Sequence, residues 1–146
     1  VSSDEKMFVF RNPLLVSEKR TGSFQVSAKT SLVALYNLAM AYHLSGLQNQ
    51  CAKRLKQALS YYELAYKMLL DEQHVVVSQA MIILNNSGQI HRLLQNEEGA
   101  KNCFQYLLTT MMFVQQTGEA SRIQNWDSFL SSSLMANRIF NFYSIG

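Results

Sequence analysis

Over residues 84–108 apolar and small residues fall at helical spacing, pause at a polar run, and resume. Leu84, Ser87, Gly88 and His91 share one helical face, Gln95 to Glu98 interrupt it, and Ala100, Cys103, Phe104, Leu107 and Leu108 restart the period. The break predicts two antiparallel helices. Gly88 stands in the interior of the first, where glycine costs about 1 kcal/mol relative to alanine. Close packing against Ala100 and Phe104 would account for it, so Gly88 is expected to be a helix contact point.

The same alternation occurs upstream. Thr30 or Ser31 is placed to cap a helix through Leu35, Leu38, Ala39 and Tyr42 to about Leu44, with Ser45 and Gly46 as its stop. Residues 47–54 contain no breaker and are expected to lengthen the next helix backwards. That helix carries a continuous apolar face at Leu55, Ala58, Leu59, Tyr62, Ala65 and Leu69. Asp71 to His74 read as a connection and Val75 opens a helix reaching Leu94. Glu97 and Glu98 suit the first-turn dipole of the following helix, which runs to Gln116 before Thr117 and Gly118 break it. Ile123, Trp126, Phe129, Leu130, Leu134 and Phe140 define a last amphipathic helix over 119–142. Its Trp126, Phe129 and Leu130 are expected to lie against the helix of Cys103 to Met111.

Residues 1–30 read differently. Pro13, Gly22 and the mixed-charge run Glu18 to Arg20 forbid a long helix, which makes this stretch an arm. Met7 to Phe10 is short and apolar and suited to lying extended against the first helices. Pro13 biases Asn12 toward an extended backbone as well. The domain layout is therefore an arm over 1–30 and a helical domain over 31–146.

Composition narrows the class without naming a function. With 48% apolar residues, eight Phe and seven Tyr, the chain can bury a real core, and disorder throughout is not expected. The net charge of +3 is small, and only Lys53, Arg54 and Lys56 cluster, so no large field for nucleic acid is implied. No apolar run approaches the roughly 18 residues of a membrane span. Cys51 and Cys103 are too few for a disulfide framework and fit an intracellular, cytoplasmic setting. Starting at Val1 without methionine or signal peptide, the chain is expected to be a segment of something longer.

The spacing resembles the tetratricopeptide repeat (TPR) family, in divergent form. One copy is carried by Leu84, Ser87, Gly88, His91, Ala100 and Phe104. Another is carried by Leu35, Leu38, Ala39 and Tyr42, then Ala58, Tyr62 and Ala65. From Ala58 to Ala100 the offset is 42 residues against a family period of 34. No tryptophan opens either repeat, Ser87 stands for a leucine, and His91 stands for a tyrosine as a core histidine. The resemblance covers residues 32–112. It implies an all-α fold, a short right-handed α-α superhelix of about five helices: repeat one over 32–71 with an insertion near 47–54, repeat two over 75–116, and a capping helix over 119–142.

It also implies a concave groove on the first helices. By that carry-over the partner-binding groove would display Tyr36, Asn37, Met40, His43, Asn85, Asn86, Gln89 and Arg92, clear of the core. Amide side chains there can pair with the backbone of an extended peptide. The positions that hold a terminal carboxylate in some family members read Tyr36, Met40, Ile82 and Asn86, so no such clamp is expected. His43, His74 and His91 lack companions at metal-ligand spacing, and no phosphate loop or nucleophile elbow is present. No cofactor, metal or catalytic residue is expected. The reading is a non-enzymatic module binding a peptide or helix of a partner protein. The alternative is a structural subunit that contacts neighbours through its arm, insertion and last helix.

Overall fold

The computed structural model describes residues 8–15, 28–72 and 76–144. Among them the regular structure is all helical: α1 Ala28–Gln48, α2 Ala52–Asp71, α3 Val77–Leu93, α4 Glu97–Gln116 and α5 Trp126–Ser144, with a 3-10 turn at Ala120–Arg122. The chain divides into two compact units, one spanning Arg11–Val76 and the other joining residues 8–10 to the helices from Val77 onward. Val75, the expected start of α3, lies outside the described residues.

In the first unit α1 and α2 pair antiparallel across residues 49–51. The helix does not stop at Ser45 and Gly46. It runs on to Gln48 and ends in a Schellman turn, with Gln50 in the left-handed region at φ 47, its N–H on Leu47 O and the Cys51 N–H on Gly46 O. Gly46 is a contact point instead, since a Cβ there would lie 2.7 Å from the Leu55 side chain. The residues expected to lengthen α2 backwards are thus split between the end of α1 and the turn, and Thr30 and Ser31 lie inside α1. The face of α2 is as expected: Leu55, Ala58, Tyr62, Ala65 and Leu69 are buried. The face of α1 is rotated. Leu32, Val33, Tyr36, Ala39, Met40 and His43 are buried, whereas Leu38 is 41% exposed. Apolar residues occupy several faces of α1, so periodicity leaves its angle open. The Tyr36 and His43 rings settle it by closing on Tyr62, at centroid separations of 6.0 and 5.8 Å.

In the second unit α3 and α4 pair across residues 94–96 through the same stop. Gln95 sits at φ 59, its N–H bonds Arg92 O, and the Asn96 N–H bonds His91 O. Asn96 then caps α4 by accepting from the Gly99 N–H at 3.0 Å. Gly118, at φ 77, closes α4 in the same way. Ala100, Phe104, Leu107 and Met111 are buried at the spacing of Ala58, Tyr62, Ala65 and Leu69. α5 begins at Trp126 rather than Glu119, because Asn125 turns left-handed at φ 61. It packs on α4 and, over a smaller area, on α3. Of its described side chains Phe129, Ser132, Ser133 and Ala136 are buried, while Leu134 is 45% exposed. The side chain of Phe140 lies outside the described residues.

α3 is enclosed on every side, each residue from Ala80 to Ile90 being buried. His91 is only half-buried, beside Gly99 and Asn96, so the core histidine is His43 rather than His91. A Cβ on Gly88 would lie 2.7 Å from Cζ of the fully buried Phe104, which is the contact its sequence position implied. Gly88→Leu should therefore lower stability by about 3 kcal/mol through overpacking, whereas the exposed Lys101→Gln should change it by less than about 0.5 kcal/mol. Urea midpoints of both variants check this.

Candidate functional site

The eight residues assigned to the groove fall into two sets, one per unit. In the first unit Tyr36 and His43 are fully buried and Met40 is 8% exposed. The expectation that they stand clear of the core is corrected, because the rotation of α1 aims them at α2. The Tyr36 hydroxyl donates to Asn12 O at 3.4 Å and lies 3.9 Å from the Met40 sulfur. Burial, with Tyr62 alongside, pushes its phenol above the ordinary tyrosine value. His43 Nδ1 is 3.2 Å from the Tyr62 hydroxyl, and its Nε2 has no partner. Burial, reinforced by the Arg11 charge, pushes its pKa down to about 4. Only Asn37 of this set is half-exposed on the helix face. Its side chain accepts from the Leu14 N–H at 2.9 Å and donates to Leu14 O at 3.0 Å.

In the second unit Asn85, Asn86 and Gln89 are buried as well, so the expectation that they stand clear of the core is corrected for them too. Asn86 treats Phe10 as Asn37 treats Leu14: Oδ1 accepts from the Phe10 N–H and Nδ2 donates to Phe10 O, both at 3.0 Å. Asn85 Nδ2 donates to Phe8 O at 3.0 Å and to Asn86 Oδ1 at 3.2 Å. The Phe8 and Phe10 rings both meet Phe129 of α5, edge-on at 5.3 Å and stacked at 6.4 Å. Gln89 Nε2 donates to Ser132 Oγ at 3.4 Å. Beside it a pocket of about 270 Å³ is lined by Phe8, Gln89, Arg92, Asp127, Ser128 and Ser131 among others, and half-buried Arg92 sits there.

The backbone groups taken by these side chains belong to residues 8, 10, 12 and 14. That period of two is the signature of an extended chain. Sequence reasoning placed amides where they could hold an extended peptide, and located a short apolar stretch suited to lying extended. It did not join the two. The available signal was the short apolar run Phe8 to Phe10 before Pro13, an extended stretch in an otherwise helical pattern.

Among the described residues no three His, Cys, Asp or Glu side chains gather to hold a metal, and no helix is long and apolar enough to cross a membrane. No protein-family model matches the chain, and the curated proteins and solved structures compared with it give no match.

Two outcomes follow from this geometry. Unfolded, His43 titrates near 6.5 and binds protons that the folded form refuses until about pH 4. Stability should thus be full above pH 6.5 and fall by as much as about 3 kcal/mol as the pH drops to 4. His43→Gln should flatten that slope in urea melts taken across the range. Asn86→Ala would leave the Phe10 N–H and C=O unpaired at a site 8% exposed, costing about 3 kcal/mol. Asn37→Ala, at a half-exposed site, should cost about 1 kcal/mol. Thermal denaturation of the two variants distinguishes these values.

Proposed function

We propose that this protein is a non-enzymatic protein-interaction module, related to tetratricopeptide repeats, in which asparagines on the first helix of each pair grip the backbone of an extended segment. The observation that supports this reading is the two-point hold of Asn86 on Phe10 and of Asn37 on Leu14. An amide side chain that offers both N–H and C=O to one residue imitates a neighbouring β-strand. Main-chain bonds then supply affinity and alternate side chains supply specificity. A buried asparagine needs such a partner, since an unpaired buried polar group costs about 1 to 3 kcal/mol. The face is therefore matched to peptide rather than to a small molecule. Arg92, at the pocket beside Gln89, offers a cation to the same partner.

A second reading, a structural subunit within a larger assembly, is favoured by the outer face of α4. There Tyr106, Met112 and Phe113 are 63%, 56% and 59% exposed. Apolar area of that kind marks contact surfaces.

Peptides selected from a displayed random library against the full chain would separate the readings by nuclear magnetic resonance. Selected peptides should shift the side-chain amide signals of Asn37, Asn85 or Asn86. Perturbations confined to Tyr106, Met112 and Phe113, or to Lys53 and Arg54, would overturn the proposal.

A further inference from the structure

Residues 8–10 are held as a ligand is held. Their hydrogen bonds to α3 reach across 76 or 77 positions of the chain, and no described helix or strand includes them. Its attachment includes three hydrogen bonds with Asn85 and Asn86 and two ring contacts with Phe129, and Val9 and Phe10 are buried. The segment belongs to no described helix or strand, and side-chain amides and rings hold it, a mode that another extended chain can adopt. The fit is also incomplete. Asn86 uses both ends of its amide on Phe10, whereas Asn85 uses only its NH2, and its Oδ1 is left without a partner in a fully buried residue.

Resting on the interaction-module reading, we infer that the cleft formed by α3 and α5 is a receptor for an extended segment of another protein that carries aromatic side chains two residues apart, and that residues 8–10 are its resident occupant, displaced when the partner binds. The asparagine contacts are made to backbone atoms and tolerate any sequence. Selection comes from Phe129, which meets one ring edge-on and the other stacked and so reads positions i and i+2 together. A partner backbone that also brings a donor to Asn85 Oδ1 gains a hydrogen bond that the resident segment does not make. Covalent attachment gives the resident segment an effective concentration in the millimolar range. A free peptide of equal intrinsic affinity is held off at micromolar concentrations, and a partner must exceed that affinity to enter.

A protease site placed between Leu15 and Ala28 converts the segment into a bound peptide while every described residue is kept. A fluorescent peptide of residues 1–15 should then enter the cleaved chain with an apparent Kd at least tenfold below that for the uncleaved chain. An unrelated peptide retaining phenylalanine at the two alternate positions should compete, and the same peptide with alanine at both should not. The intact double variant Phe8→Ala, Phe10→Ala should admit the labelled peptide without cleavage. The inference is overturned if neither the cleaved chain nor the double variant takes the peptide. It is overturned equally if the double-alanine peptide competes as well as the aromatic one, or if the intact chain dimerises on concentration by exchanging the segment, which would make a second copy the occupant. Any of these results, combined with library peptides that still shift the asparagine signals, leaves the module reading standing.

Discussion

Every residue of α3 from Ala80 to Ile90 is withdrawn from water, and Asn85, Asn86, Ser87 and Gln89 are among them. Buried amides call for partners, because the desolvation of each unpaired group weighs against a net stability of only about 5 to 15 kcal/mol. α4 cannot supply the partners, for the face it turns inward is Ala100, Phe104, Leu107, Met111 and Val114. The Asn86 amide and the NH2 groups of Asn85 and Gln89 find partners in the backbone of residues 8–10 and in Ser132 of α5, while Asn85 Oδ1 and Gln89 Oε1 have none. The second unit therefore depends on a stretch of chain with no helical propensity of its own. Without that stretch, Asn86 would lose both of its bonds to Phe10.

The first unit solves a similar problem by other means. His43 and Tyr62 place polar atoms inside the α1 and α2 pair and spend them on each other, at a distance of 3.2 Å. The histidine remains neutral there because the charged form would lose its hydration and meet the Arg11 charge. Asn37, closer to solvent, needs a weaker settlement and takes the Leu14 backbone. Small residues permit the close approach of the helices in both units. Gly46 lies against Leu55 in one and Gly88 against Phe104 in the other.

These two arrangements bear on function because an amide that can hold a chain's own backbone can hold another. What distinguishes an internal strut from a binding face is the ease of replacement. On that count residues 8–10 differ from the helices, since side-chain amides and rings hold them outside any described helix or strand. The exposed aromatic residues of α4 are a separate feature, connected to no polar device.

Helix number, the antiparallel pairing and the buried stripes of α2 and α4 follow from the amino-acid sequence, because a period of 3.6 with one apolar face admits a single orientation. Gly88 was legible for the same reason: an unfavourable residue in mid-helix calls for a packing cause. The angle of α1 was not legible, since Leu32 to Met40 is apolar on several faces and only the closure of Tyr36 and His43 onto Tyr62 selects one. Nor was the true stop of α1, because Gln50 adopts left-handed backbone that its residue type does not announce. Sequence placed the asparagines on the first helices and gave them backbone-pairing chemistry. Tertiary structure alone decided that Asn86 would be buried and that the backbone it pairs with would be that of Phe10. Contacts spanning 76 positions leave no periodic trace, and their energy arises only after the helices have assembled around them.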